Sequence, residues 1–177
     1  GSIKEGMEVY SKVEKLSKSA NLSESVYNQA VKLGEAGKIQ ESLNLLNQIK
    51  GNYAKAKTLY DSMNSFHKKV SLWLGTWKHR GTVNGEKTTY YITFSEVLYK
   101  GEPCIKIKDM NNKSLGYNVE ISSKNHITQI EVGKYMIHFK LKNNHNQKLT
   151  YTLLEGKKML RELKYEGVTY KTKYKKK

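Results

Sequence analysis

The chain has 177 residues, with 32 Lys and Arg against 16 Asp and Glu and a formal net charge of +16. It is 37% hydrophobic and contains 13 Tyr and 2 Trp, which is typical of a folded chain and excludes a disordered one. No apolar run reaches the roughly 20 residues that cross a bilayer as a helix, and a single Cys excludes an internal disulfide framework.

The first 70 residues contain no Pro and carry apolar residues at helical spacing. A polar break with capping residues at 21–25 separates the first two predicted helices, and Gly34, Gly37 and Gly51 mark later ends. Short connections predict antiparallel neighbours. The four apolar stripes are Ile3, Met7, Tyr10, Val13 and Leu16; Val26, Ala30 and Leu33; Ile39, Leu43, Leu46 and Ile49; and Tyr53, Ala56, Leu59 or Tyr60, Met63 and Phe66.

The second and third stripes resemble one tetratricopeptide repeat. The resemblance implies that the two helices cross closely at the small residues Ala30 and Ser42. The usual aromatic residues are missing and Lys50 stands near the place of a common terminal proline, so an ordinary helical hairpin is the alternative. A single repeat is expected to lean on the following domain, because stacked repeats need about three units. The matching positions are Val26, Ala30, Leu33, Gly37, Ile39, Ser42, Leu46 and Ile49.

From Leu72 the hydrophobic period changes to two, which predicts strands. Asn84-Gly85 is a strong hairpin signal, and Glu166-Gly167 precedes the last predicted strand. The pattern predicts eight or nine short strands, which an up-and-down barrel would close without exposed edges. The sequence therefore predicts an α+β protein with antiparallel helical hairpins over 3–70, an all-antiparallel barrel over 72–174 and a basic tail over 175–177.

One charged residue falls on an inward phase of the predicted sheet. Arg161 shares the phase of Met159 and Leu163, and a buried guanidinium needs partners and a flat surface, which Trp77 can supply. Gly75-Thr76-Trp77 with a downstream Arg161 resembles the lipocalin and calycin superfamily over residues 72–174. The chain is shorter than a typical lipocalin and lacks a disulfide and a clear C-terminal helix.

The resemblance implies a binding module that takes its ligand at the open end of the barrel, while Gly75, Trp77 and Arg161 close the other end. A small barrel can instead be filled by its own side chains. Because a buried Tyr hydroxyl needs a partner, several inward tyrosines would suit a polar or mixed ligand. The candidate ligand-binding residues are the inward-phase aromatics Tyr90, Phe94, Tyr117, Tyr135, Phe139, Tyr151 and Tyr170.

The positive charge lies mainly in the second part, where residues 71–177 hold 21 Lys and Arg against 9 acids. It suits a polyanion such as nucleic acid, anionic lipid or a cell-wall polymer, or simply a solvated lysine surface without a partner. The inward phase of the tyrosines disfavours nucleic acid, because stacking platforms face solvent. The candidate polyanion surface consists of Lys106, Lys108, Lys140, Lys142, Lys171 and Lys173.

The sequence carries none of the common catalytic or phosphate-binding motifs. Its five His have no metal-ligand spacing, and Cys104 fits a small apolar residue at a strand start. We therefore expect a non-enzyme without a metal or cofactor. Gly1-Ser2 is typical of a cloning remnant, which predicts an excised piece of a longer chain.

The leading hypothesis is a binding or interaction protein of the envelope of a Gram-positive bacterium. Its barrel would bind a small molecule or an envelope component, and its helices would contact the barrel or a protein partner. An extracytoplasmic location, with an anchor in a segment preceding Gly1, belongs to the same expectation. The alternatives are the polyanion binder and a purely structural domain of a larger assembly.

Overall fold

The computed structural model describes residues 2–109, 119–122, 127–141 and 147–177. The helices are α1 (Ser2–Glu35), α2 (Ile39–Ile49) and α3 (Ala54–Val70). The strands are β1 (Gly75–Val83), β2 (Glu86–Tyr99), β3 (Glu102–Asp109), β4 (Val119–Ser122), β5 (Ile127–Val132), β6 (Met136–Leu141), β7 (Lys148–Leu154), β8 (Lys158–Tyr165) and β9 (Val168–Lys176).

Helix α1 continues through the polar break predicted at residues 21–25, so the first two apolar stripes lie on one helix. That stretch contains neither Gly nor Pro, and its residues cost at most about 0.7 kcal/mol each in helix propensity relative to Ala. The helix ends near the predicted glycines. Gly37 has a φ of 80°, and the Lys38 N–H donates to the Leu33 carbonyl at 2.9 Å, which closes the last turn.

The three helices pack through one hydrophobic group, which we call the helix cluster. The predicted close crossing is found, because Ser42 is fully buried and its hydroxyl donates to the Ala30 carbonyl at 2.7 Å. The sheet contributes one buried member, which ties the helices to it. The helix cluster consists of Ala30, Leu43, Leu46, Ala56, Leu59, Met63 and Leu98 of β2.

The strands form one antiparallel sheet in the order β4-β3-β2-β1-β9-β8-β7-β6-β5. Neighbours in this order are consecutive along the chain, apart from β1 beside β9, where Trp77 lies opposite Lys176. The sheet is curled into a half-barrel. The predicted class, helices followed by an antiparallel up-and-down sheet, is confirmed.

The hairpin turn predicted at Asn84-Gly85 has the backbone that the sequence indicated, and the turn between β8 and β9 has the same form. Asn84 and Gly85 have φ of 51° and 82°, and Glu166 and Gly167 have 47° and 79°. Two successive positive φ angles match the right-handed twist of the flanking strands. Residues 175–177, predicted as a basic tail, instead lie in or beside β9. The Lys177 N–H donates to the Thr76 carbonyl at 2.9 Å, because β1 offers an open edge there.

Strand β2 has 14 residues, and its buried face reaches both parts of the molecule. Ile92 and Phe94 belong to the group that fills the half-barrel, the sheet cluster, and Leu98 belongs to the helix cluster. Glu96 lies between them and is 5% exposed. Helix α1 approaches closely here, because a Cβ at Gly34 would lie 3.0 Å from the Leu98 Cβ. The sheet cluster also includes Trp73, Trp77, Phe139, Tyr151 and Tyr174.

Candidate functional site

Three of the predicted ligand-binding aromatics form part of the sheet cluster. Phe94, Phe139 and Tyr151 are buried, and Tyr151 packs against both rings with centroid distances of 5.3 and 5.8 Å. Side chains in such contact fill the interior of a small barrel. The space at their level is therefore occupied by the protein itself.

The other predicted ligand-binding aromatics lie closer to solvent. Tyr135 is 57% exposed, because it precedes β6 and strand alternation does not fix its direction. Tyr170 is 53% exposed near the start of β9. Tyr90 is partly buried and stacks on His79 with centroids 6.1 Å apart. Tyr117 lies outside the described residues.

Arg161 is buried, as its phase predicts. It forms an ion pair with Asp109, which we call the interior ion pair, and Tyr151 is hydrogen-bonded to that pair. The Nε of Arg161 donates to Oδ2 of Asp109 at 2.7 Å, and the Tyr151 hydroxyl donates to the same oxygen at 2.8 Å. Asp109 is fully buried at the end of β3. Sequence reasoning missed Asp109, although it shares the inward phase of Ile105 and Ile107.

The interior ion pair also shows how strongly the sheet is curved. Asp109 is on β3 and Arg161 on β8, with β2, β1 and β9 between these strands. Strands about 4.8 Å apart in a flat sheet would hold the two roughly 19 Å from each other. Contact between their side chains therefore requires the sheet to curve around the cluster.

Burial and charge set the protonation of this group. Burial is the largest influence on the pKa of Arg161 and works to lower it, but the charge and hydrogen bond of Asp109 together with the nearby Tyr151 and Tyr174 hydroxyls raise that pKa overall. Burial, followed by the negative charge of Asp109, raises the pKa of Tyr151 well above its usual value. Both groups keep their protons at physiological pH, which suits a structural pair better than acid–base catalysis.

Trp77 lies where the first and last strands meet. Its Nε1 donates to the Trp73 carbonyl at 2.9 Å, and the Nζ of Lys176 lies over its ring, 5.1 Å from the centroid. Gly75 opens β1 with a φ of 112°. The predicted closure residues Gly75 and Trp77 are thus near the β1–β9 junction, whereas Arg161 is tied to Asp109.

A cleft of about 630 Å³ lies between the helices and the sheet, and we call it the junction cleft. Its walls come from the turn between α1 and α2, the start of α2, α3, the residue before β1 and strands β2 and β3. Its apolar lining includes Ile39, Leu74, Phe94 and Val97, and its polar lining includes Lys38, Gln40, Glu41, His67, Ser95, Glu96 and Lys106. Sequence reasoning missed this site, because it joins short pieces from distant parts of the chain.

The floor of the junction cleft carries a buried carboxylate. Nδ1 of His67 on α3 lies 2.5 Å from Oε1 of Glu96 on β2. Burial raises the pKa of Glu96, and the hydrogen bond and charge of His67 only partly oppose that shift. Gly37 brings the helical turn against the same strand, since a Cβ there would lie 3.4 Å from the Glu96 carbonyl oxygen.

The described lysines of the predicted polyanion surface lie on β3, β6 and β9, and no two of these strands are adjacent in the sheet. A tighter row of lysines crosses adjacent strands instead. Lys175 of β9 lies directly opposite Lys78 of β1 on one side and Lys158 of β8 on the other. Sequence reasoning missed this row, since it depends on the pairing of β1 with β9. Lys106 and Lys108 are on β3, Lys140 is on β6, Lys171 and Lys173 are on β9, and Lys142 is outside the described residues.

The fold and these sites define an α+β protein whose helices pack against an antiparallel half-barrel, with a cleft at their junction. Comparisons with protein-family models, curated proteins and solved structures find no match. Among the described residues, no helix is long and apolar enough to cross a membrane.

Proposed function

We propose that the protein is a non-enzymatic binding protein of the bacterial cell envelope, and that its junction cleft takes a small anionic molecule with an apolar body. The observation that carries the proposal is the cleft, a concave surface to which both the helices and the sheet contribute. Its volume of about 630 Å³ falls within the roughly 300–1,000 Å³ of small-molecule sites. The lipocalin-like and tetratricopeptide-like resemblances favour a binding module and belong to this proposal.

The lining suggests the chemistry of the ligand. Ile39, Leu74 and Val97 offer apolar contact. Lys38 and Lys106 bring positive charge from the helical turn and from β3, and Glu41 brings one negative charge from the start of α2. The buried carboxylate of Glu96 is paired with His67, so it opposes an anion less than a bare charge would. A carboxylate with a hydrocarbon or aromatic body matches both kinds of surface.

The filled interior of the half-barrel directs the proposal to the cleft. Phe94, Phe139 and Tyr151 occupy the space in which a lipocalin-like ligand was expected. A ligand there would have to displace packed aromatic rings, at a cost of several kcal/mol for each ring removed from the core. The cleft needs no such rearrangement.

The test is calorimetric titration with medium-chain and aromatic carboxylic acids, with the matching alcohols as uncharged controls. We expect saturable binding of an acid and at least tenfold weaker binding of its alcohol. Ser95→Trp should abolish binding by filling the cleft, whereas Thr89→Trp, an exposed position on the same face of β2, should not.

A second pair of variants tests the charge. Lys106→Gln should weaken binding of the acid but not of the alcohol, and Lys108→Gln, on the same strand but outside the lining, should leave both unchanged. Absence of binding by every acid, or equal effects of Ser95→Trp and Thr89→Trp, would contradict a ligand in the junction cleft.

The row of Lys78, Lys175 and Lys158 favours a second candidate function, binding of a linear polyanion. All three are exposed, and like charges directly opposite each other on neighbouring strands destabilise a sheet. A chain of phosphate or sulfate groups laid across the row would neutralise that repulsion.

Heparin and long-chain polyphosphate are suitable probes for this second function. Binding should weaken steeply with salt, and Lys175→Gln should make the dependence of log K on log salt shallower by about 0.7–0.9. Lys87→Gln, an exposed lysine at the β1–β2 hairpin, is the matched control. Equal slopes for both variants would count against the row as the binding surface.

A further inference from the structure

The first part of α1 extends beyond the body of the protein, and we call residues 3–22 the α1 arm. Every described side chain in the arm is exposed, whereas Ser23 is 6% exposed and Ala30 is fully buried in the helix cluster. At 1.5 Å per residue the arm reaches about 30 Å. Its conformation therefore receives little support from the rest of the fold.

The arm carries an apolar face without a partner among the described residues. Ile3, Met7, Val9 and Tyr10 are 81%, 69%, 62% and 71% exposed. With about 3.6 residues per turn, these four project from one half of the helix circumference. Most of the stability of a helix in a protein comes from packing of its apolar face against other elements. Burial of this face against a partner would stabilise it. The charged residues Lys4, Glu5, Glu8, Lys12, Lys15 and Lys18 occupy the other half, whereas Glu14 lies on the apolar half and forms an ion pair with Lys18 at 3.5 Å.

We propose that the α1 arm pairs with the arm of a second copy of this chain, antiparallel and about a two-fold axis between Glu8 and Val9. Positions equally distant from that axis face each other across the pair. Met7 would then pack against Tyr10 of the other copy, and Tyr10 against its Met7.

Charge complementarity supports this register. Glu5 and Lys12 are seven residues apart and border the apolar face on the side of Val9. They are equally distant from the proposed axis, so each Glu5 faces the Lys12 of the other copy. The symmetric pair gains two interhelical salt bridges from only two positions, as an isologous contact requires.

The distribution of charge favours a second copy over an anionic membrane. The arm holds 4 Lys and 3 Glu, or +1, which leaves +15 of the total +16 on the remainder of the chain. A helix that lies on an anionic membrane has a polar face rich in Lys and Arg. The nearly neutral arm lets two copies meet while their basic bodies stay farther apart than the roughly 8 Å screening length of physiological salt.

Sedimentation velocity on the full chain tests the proposal. The wild type should dimerise reversibly with concentration, and Glu5→Lys and Lys12→Glu should each weaken self-association at least tenfold, because each places like charges opposite each other. A one-to-one mixture of these two variants should regain association, because every facing pair in the heterodimer is then of opposite charge. Lys15→Glu, with the same charge change on the outer side of the helix, should dimerise like the wild type.

Circular dichroism checks that each variant keeps its helix content. We expect no loss of helix, because the substituted side chains are exposed. A wild type that stays monomeric at all concentrations would overturn the proposal. So would single variants that dimerise normally, or a mixture that associates no better than its components. Binding of a monomeric wild type to phosphatidylglycerol vesicles would assign the face to a membrane instead.

Discussion

Arg161 of β8 donates from Nε to Oδ2 of Asp109 on β3 across 2.7 Å, although three strands separate the two in the sheet. Both residues are buried, so neither charge can be solvated if the other is removed. Loss of one partner from a buried pair costs about 3–5 kcal/mol. We expect Asp109→Asn to lower the free energy of unfolding by that amount in urea titrations.

A double variant separates the pair from its surroundings. Asp109→Leu with Arg161→Met removes both charges and keeps apolar volume, so it should recover most of the stability lost in Asp109→Asn. Equal destabilisation by the single and double variants would show that the buried guanidinium is tolerated without Asp109.

The pH dependence of stability should report Glu96. Burial raises the pKa of Glu96 above its ordinary value of 4.5, so the folded protein holds this proton more tightly than the unfolded chain. The free energy of unfolding should therefore fall as pH rises from 4.5 through the raised value, because the unfolded chain releases the proton first.

Glu96→Gln should remove that part of the slope in urea titrations between pH 4 and 7. Glu86→Gln, an exposed carboxylate on the same strand, controls for the loss of one negative charge. If Glu96→Gln keeps the full wild-type slope, Glu96 does not hold the proton in the folded state.

Leu98 should couple the helices to the sheet. It is 2% exposed and is the strand residue of the helix cluster. Leu98→Ala should cost about 2–5 kcal/mol, because it removes buried methyl groups and leaves a cavity against α1. Leu154→Ala, at a position 38% exposed, is the control and should cost much less. Similar losses for both, measured by thermal unfolding, would argue against tight packing at the junction.

Gly37 should resist substitution because of its backbone. Its φ of 80° lies in the left-handed region, where a side chain costs about 1–2 kcal/mol. Gly37→Ala should lower the free energy of unfolding by that amount in urea titrations. It should also weaken the binding of any ligand in the junction cleft, because the turn would move against β2. Gly51→Ala, where a Cβ meets nothing within 4 Å, should be nearly neutral. A neutral Gly37→Ala would mean that the turn relaxes freely.

Local patterns in the sequence predicted the elements better than their assembly. Alternation and the Asn84-Gly85 turn identified the strands, since side-chain direction and turn geometry depend on neighbouring residues. The pairing of β1 with β9 joins segments far apart in the chain, and no local pattern encodes it. The polar stretch at 21–25 predicted a break, but α1 runs through it. Ser and Asn are common at helix N-caps and are also tolerated inside helices, so their presence alone does not mark a helix end.

The candidate sites show the same division. The alternation of the last strands predicted that Arg161 is buried. Asp109 and Glu96 also lie on inward phases, but their partners Arg161 and His67 come from distant elements and can be identified only from the packed structure. The junction cleft combines residues of the α1–α2 turn, α2, α3, the segment before β1, β2 and β3, so its existence depends on how the helices and the sheet meet.

The position of β9 beside β1 has a consequence during biosynthesis. A ribosome adding about 5–20 residues per second would need roughly 4–17 s to make the 84 residues between the end of β1 and the start of β9. Through that interval one edge of β1 has no neighbour in the nascent chain. Lys78 and Arg80 lie on this strand, and charges on an open edge discourage pairing with other chains. They would protect the growing polypeptide until translation delivers its last strand.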